Sequence, residues 1–160
     1  MPKKLISNFL VFIAMLVTLI SCSGKTTITE EDVKALYDAI DKAVIAKDTE
    51  TVLDLMSDDI TINMKVLSPD SNQNMDMGKE EYAKSLRDTF SVMQDYEYRV
   101  DEMSIDISAD GKSAEVKRKV YEKITAQGNT IKSVTKDNTK LELRNGKILA
   151  VDIKGVMILQ

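Results

Sequence analysis

Ala46-Lys47-Asp48-Thr49-Glu50-Thr51-Val52-Leu53-Asp54-Leu55-Met56-Ser57-Asp58-Asp59-Ile60-Thr61-Ile62 is the passage on which the architecture turns. Before it, Val33, Leu36, Tyr37, Ile40 and Val44 recur at helical spacing, with Lys34, Asp38, Asp41 and Lys42 off that stripe. Thr29 with Asp32 supplies the capping signature at the start of that helix. Within the passage, Lys47-Asp48 breaks the first helix. Val52, Leu55 and Met56 then make a second, shorter one, closed by Ser57-Asp58-Asp59. After it the period changes: Ile60, Ile62, Met64 and Val66 alternate with Thr61, Asn63 and Lys65. Period 2 is the signature of a strand with one buried face.

Beyond the strand, Ser68 to Met77 is polar and Asn-rich and reads as a loop. Gly78-Lys79-Glu80-Glu81 opens a third helix with Tyr82, Leu86, Phe90 and Met93 on one side. The remainder reads as four strands. Tyr96, Tyr98 and Val100 share one parity; Met103, Ile105 and Ile107 share the other. One extra residue near Asp101-Glu102 reconciles them, which predicts a β-bulge there. Ala109-Asp110-Gly111-Lys112 supplies a turn, Ser113 to Thr125 the next strand, and Ala126 to Asn129 another turn. Thr130 to Arg144 and Lys147 to Ile158 pair about Asn145-Gly146. The predicted class is α+β, an antiparallel sheet with helices on one face.

The N-terminus carries a different message. Lys3 and Lys4 precede a nearly unbroken apolar run from Phe9 to Ile20, and small Ser21 precedes Cys22. Basic, apolar, then small is the order of a secretory signal peptide. Leu19-Ile20-Ser21-Cys22 resembles the bacterial lipobox. That resemblance implies cleavage before Cys22 and a diacylglyceryl thioether on its sulfur. The alternative, an uncleaved membrane helix, needs about 20 apolar residues, and Ser7 and Asn8 interrupt the run. Two or more acyl chains anchor a protein stably where one does not, so the lipid bilayer is the expected partner of Cys22. Ser23, where an Asp would signal inner-membrane retention, implies the outer membrane if the host has two. The chain divides into a signal peptide (1–21), a lipidated tether (22–29) whose polar stretch Ser23 to Ile28 spans about 20 Å at roughly 3.3 Å per residue, and one domain (30–160).

Composition narrows the chemistry. Of 160 residues, 22 are basic and 26 acidic. The leader holds two of the basic residues and none of the acidic ones, leaving the rest of the chain acidic. Such a domain is a poor polyphosphate binder, so nucleic acid is not an expected partner. The one cysteine is committed to lipid, and there is no histidine. Ser-His and Cys-His nucleophile pairs and imidazole metal sites are excluded. No cofactor is expected. Asp70-x-Asn72-x-Asn74-x-Asp76, with Glu81 twelfth from Asp70, imitates a calcium loop, but Met75 stands where the loop needs glycine. A solvated loop is the better reading, and no metal site is expected. Of the nine methionines, Met56, Met64, Met93 and Met103 fall on apolar stripes and read as core.

The passage from Ala46 to Ile62 resembles the helix-to-strand passage of the nuclear transport factor 2-like superfamily, which includes ketosteroid isomerase and polyketide-cyclase-like enzymes. Gly78-Lys79-Glu80-Glu81 is similar to its third-helix start, and the closing strands match in order. The likeness spans about residues 30 to 155. It implies a cone: a strongly bent antiparallel sheet packed on three N-terminal helices, with an internal pocket. It also implies where isomerase chemistry would sit. Aligning Asp58-Asp59-Ile60-Thr61 puts the general base at Met64, the helix tyrosine at Ile40 and the protonated acid at Thr139. None of the three can do that work. The Arg-x-Asp relay of the epoxide-hydrolase branch is also missing, since Val120 follows Arg118.

Some polar residues stand where the alternation calls for apolar ones. Arg118 and Glu122 share parity with Ala114, Val116, Val120 and Ile124. Asp137 and Thr139, with Thr135, share theirs with Ile131, Leu141 and Leu143. If those parities face the interior, Arg118, Glu122, Asp137 and Thr139 line a polar pocket for a small polar or amphipathic ligand, and Tyr37, one turn from Ile40, joins them. The competing account is structural: strand ends, with Arg118 paired to Glu122 or Asp137. The leading expectation is therefore an envelope lipoprotein acting as a non-catalytic binding or interaction module. The alternatives are a small cyclase- or isomerase-like enzyme and a structural protein that forms a homodimer through its sheet face.

Overall fold

The computed structural model describes residues 24–160. The signal peptide and Cys22 lie outside the described residues. Helix α1 is Glu30–Ile45, capped by Thr29: its hydroxyl accepts from Asp32 N at 3.2 Å, and Asp32 Oδ2 accepts from Thr29 N at 3.0 Å. Three acidic residues in its first turn complement the helix dipole. Val33, Leu36, Tyr37 and Ala43 are buried along the face read from the sequence.

The break at Lys47-Asp48 is realised by a left-handed Lys47, with φ 58°. Asp48 N donates to Ala43 O at 2.8 Å, and the Asp48 carboxylate caps helix α2 (Thr49–Asp54) through Thr51 N at 3.1 Å. This helix is shorter than expected. Strand β1 (Met56–Leu67) begins at Met56, so Ser57-Asp58-Asp59 lies inside the strand rather than closing the helix. A helix of barely two turns has little stability of its own. Sheet pairing wins: Met56 is opposite Ala150, and Ala150 N donates to Leu55 O at 3.0 Å.

The Asn-rich loop is the clearest departure. Asn72–Met77 forms strand β2, hydrogen-bonded antiparallel to β1. It is an edge strand of residues with poor strand propensity, held by its partner rather than by its own preferences. The calcium-like side chains do not converge. Asp76 accepts from Asn63 Nδ2 at 2.7 Å, and Glu81 caps the next helix through Gly78 N at 3.0 Å.

Helix α3 (Lys79–Val92) leads into β3 (Met93–Ile107), β4 (Ser113–Ala126), β5 (Asn129–Arg144) and β6 (Lys147–Leu159). The sheet order is β2-β1-β6-β5-β4-β3. It is mixed rather than wholly antiparallel, because β1 runs parallel to β6 while every other pair is antiparallel. The predicted bulge is present: Val100 pairs with Val120 and Glu102 with Lys119, leaving Asp101 unpaired. Met103, expected in the core, is 36% exposed on edge strand β3. Helices and sheet share one core, in which Val33, Val52, Val116 and Leu141 are fully buried.

Residues 24–29, read as a free tether, lie against the domain. Ile28 is buried and its N–H donates to Gly111 O at 2.8 Å; Lys112 Nζ donates to Thr26 O at 2.5 Å. Gly24 touches Gly146, where a Cβ would come within 2.8 Å of the Gly24 Cα. The chain therefore enters at the end of the sheet carrying the Gly111 and Gly146 turns.

Candidate functional site

Strands β4 and β5 place the polar residues by register. Arg118 is directly opposite Asp137, Val120 opposite Thr135, Val116 opposite Thr139 and Glu122 opposite Ser133. Opposed residues share a face. That face is the concave one, since Val116, Val120, Thr135 and Thr139 are all buried.

Arg118 is the hub. Its Nη2 lies 3.2 Å from Asp137 Oδ2 and its Nε 3.4 Å from Oδ1, a two-point ion pair. Nη1 donates to the Tyr98 hydroxyl at 3.2 Å, and the guanidinium sits 4.2 Å from the centroid of the Tyr37 ring. Burial acts against the Arg118 charge, but Asp137, then Tyr37 and Tyr98, outweigh it and raise its pKa. Thr139 Oγ1 donates to Asp137 at 3.4 Å. Burial pushes the Tyr37 phenol up, against the pull of Arg118. The hydroxyls of Tyr37 and Thr135 are buried without a hydrogen-bond partner of good geometry among the described residues.

Glu122 does not join that cluster. It accepts from the Tyr96 hydroxyl at 2.7 Å. The Tyr96 and Tyr98 rings stack with centroids 6.1 Å apart. Asp41, from α1, lines the same lobe as Tyr98; burial raises its pKa, and Tyr98 and Arg118 only partly counter it. Tyr96 and Tyr98 are pushed far up, by burial first, and Tyr82 up to about 12 by the same cause.

The concave side encloses two cavity lobes that share Tyr82, Tyr98, Arg118, Glu122 and Met157 as their dividing wall. The first, about 560 Å³, lies beneath the helices and is walled by Ile40, Val44, Leu86, Phe90 and Ile124, with Asp41, Thr89, Tyr96 and Ser133 as polar groups beside the shared wall. The second, about 370 Å³, reaches toward β1 and β2 and is walled by Met64, Met75, Met77 and Ile153, with Thr135, Asp137 and Thr139.

Of the five pocket residues named from sequence, Arg118, Glu122, Asp137 and Thr139 line the lobes, while Tyr37 packs on Arg118 without lining either. Tyr37, Arg118, Asp137 and Thr139 form one cluster, and Glu122 stands apart with Tyr96. The three isomerase positions also bear on the interior: Ile40 lines the first lobe, and Met64 and Thr139 the second. Sequence reasoning missed Asp41, Tyr96, Tyr98 and Thr135 as site residues. Asp41 was placed off the apolar stripe, though its spacing of four from Tyr37 puts the two on one helical face. Met75 and Met77 are the residues of β2 that line the second lobe. Among the described residues no group of acidic or thiol side chains is arranged to hold a metal.

No protein-family profile and no curated protein matches the sequence. Solved structures do. An NTF2-like protein from Cytophaga hutchinsonii ATCC 33406 superposes with a TM-score of 0.62 at 14% identity, covering 81% of this chain and 98% of its own. An NTF2-like protein from Pseudomonas putida KT2440 gives 0.63 at 11% identity, covering 79% and 84%. The fold is NTF2-like. A ketosteroid isomerase-like protein from Erwinia carotovora atroseptica SCRI1043 also shares the NTF2-like fold, with a TM-score of 0.56 at 18% identity over 81% of this chain and 98% of its own. Identities this low speak for the NTF2-like architecture and not for an activity.

Proposed function

We propose that this is a lipid-anchored envelope protein whose NTF2-like cone binds a small amphipathic molecule without catalysing its conversion. The observation that carries the reading is the pair of largely apolar lobes meeting at one polar wall. Apolar cavities with a few convergent polar groups are the usual form of a small-molecule site. Ile40, Met64 and Thr139 bear on the same space yet offer no group that titrates, which favours binding over isomerase-type catalysis. Native mass spectrometry of the protein, gently purified from its own membranes, tests this. A retained small-molecule mass is expected, lost when Ile124→Trp fills the first lobe. A bare chain in both samples counts against the reading.

The anchor belongs to the same proposal. Among the described residues no helix is long and apolar enough to cross a membrane. With the acyl group on Cys22, only Ser23 separates it from Gly24, which already touches the domain. Labelled palmitate should enter the wild-type protein and not Cys22→Ser; an unlabelled wild-type chain ends this part of the proposal.

The Asp41 carboxyl lining the first lobe beside Tyr96 and Tyr98 favours a second reading, a cyclase- or isomerase-like enzyme with a relocated acid–base pair. A carboxyl raised by burial is closer to what a general base needs. Conversion of the retained molecule on incubation, abolished by Asp41→Asn, would select it. Self-association through the outer sheet face has less support. That face carries ion pairs such as Lys119–Glu102 and Lys123–Glu97 rather than a broad apolar patch. Sedimentation of residues 24–160 at rising concentration would reveal a dimer.

A further inference from the structure

We infer that the molecule held in the cone is an amphipathic amine, its cationic head beside Glu122 where the two lobes meet, with Asp41 on the first-lobe side, and its chain against the apolar wall of the first lobe. This rests on the pocket reading above and deepens it.

Three carboxylates, Asp41, Glu122 and Asp137, border the two lobes, against a single cation, Arg118. The titratable groups facing this space come from α1 (Asp41), α3 (Tyr82), β3 (Tyr96, Tyr98), β4 (Arg118, Glu122) and β5 (Asp137); β1, β2 and β6 contribute none among the lining residues. Arg118 is spoken for by the two-point contact with Asp137 at 3.2 and 3.4 Å. Glu122 accepts from the Tyr96 phenol at 2.7 Å, and Asp41 lines the same lobe with no ion-pair partner among the described residues. A phenol satisfies a lone pair but leaves the charge in place. In a space removed from water, two such charges repel an anion and attract a cation. The stacked faces of Tyr96 and Tyr98 add a surface that favours cations.

An independent feature points to an occupant. Thr135 is 8% exposed, its hydroxyl has no partner, and it lines the second lobe together with Glu122. Thr135 sits two residues beyond Ser133, the strand partner of Glu122, so the two are diagonal neighbours on one face. A buried hydroxyl left empty-handed costs stability, and a head group beside Glu122 would reach it. The apolar wall of Val44, Leu86 and Phe90 receives the chain, and the unbranched side chain of Met157 adapts to its length.

The test uses residues 24–160, which contain the core formed by the described residues. Decylamine, decanoate and decanol, each below its micelle concentration, are titrated calorimetrically at pH 7. Decylamine should bind roughly tenfold or more tighter than decanoate, a difference on the scale of one desolvated charge pair. Glu122→Gln and, separately, Asp41→Asn should each weaken decylamine about tenfold while changing decanol less than about twofold. Circular dichroism reports whether each variant is folded, and either one suffices. Decanoate binding as tightly as decylamine, or decylamine affinity unmoved in a folded variant, overturns the charge assignment and leaves the pocket standing. Failure of all three probes to bind overturns both.

Discussion

Arg118 and Asp137 stand directly opposite each other on β4 and β5, joined by two contacts of 3.2 and 3.4 Å, with side chains 15% and 7% exposed. The pair is built into the wall of the cone rather than left open to a ligand. Its burial makes it costly to break from one side. Removing one member strands the other charge, at about 3–5 kcal/mol, whereas replacing both with apolar residues is often neutral. Arg118→Ala and Asp137→Ala should each lower the urea midpoint sharply, and Arg118→Met with Asp137→Leu should recover most of the loss. A single variant within about 0.5 kcal/mol of wild type would show that the pair is solvated.

Gly155 faces a different constraint. A Cβ there would lie 2.7 Å from the Lys136 carbonyl oxygen and 2.9 Å from Met64 Sδ. The thioether can move, but the carbonyl belongs to the β5–β6 ladder. Gly155→Ala should destabilise by about 1–3 kcal/mol, as overpacking does. Gly78→Ala, where nothing lies within 4 Å, tests only the loss of a favoured cap residue. Equal midpoints for the two variants would refute the steric argument.

Tyr37, Tyr82, Tyr96 and Tyr98, four of the five tyrosines, are held above the ordinary value of 10.0, chiefly by burial. The unfolded chain ionises its phenols first. Their contribution to stability is therefore fully present below pH 10 and lost as pH rises through the folded values, that of Tyr82 being about 12. Denaturant midpoints should fall steadily from pH 10 to 12. Phenolate absorbance should rise with unfolding rather than before it. Early ionisation of all five in the folded protein would contradict the burial.

Asp41 follows the same sign in the acid range. Its carboxyl is raised, first by burial, so the folded state resists its negative charge. Its contribution is favourable below the ordinary value of 3.8 and is lost as pH rises through the folded value. Asp41→Asn should therefore be more stable than wild type at pH 7 and equal to it near pH 3. A variant less stable at pH 7 would assign the carboxylate a structural role instead.

Thr29→Ala removes the hydroxyl that accepts from Asp32 N, and should cost about 1 kcal/mol. Asp32 is held below its ordinary value by Lys25 first and Thr29 next, so its share is present above pH 3.8 and fades as pH falls. The difference between Thr29→Ala and wild type should accordingly shrink in acid, as thermal melts from pH 7 to pH 2.5 would show.

Local chemistry written in neighbouring residues was legible in the chain alone. Thr29 and Asp32 announced the first helix, and Tyr98, Val100, Met103 and Ile105 announced a bulge that the structure puts at Asp101. The alternation along β4 and β5 put Arg118, Glu122, Asp137 and Thr139 on one side, because side-chain parity in a strand is a property of sequence. What alternation could not say is which partner each charge would choose. Strand register set Arg118 against Asp137 and left Glu122 to Tyr96, and register is a long-range fact. The β2 strand was decided by pairing back on neighbouring β1 and the early end of α2 by distant β6, for residues 72–77 and 55–56 have no strong preference of their own. Asp41 became an interior group only when α1 settled over the bent sheet. Sequence determined the elements and their faces, through periodicity and capping; tertiary structure decided the pairing of charges and the space between them, since both depend on contacts that no local run of residues contains.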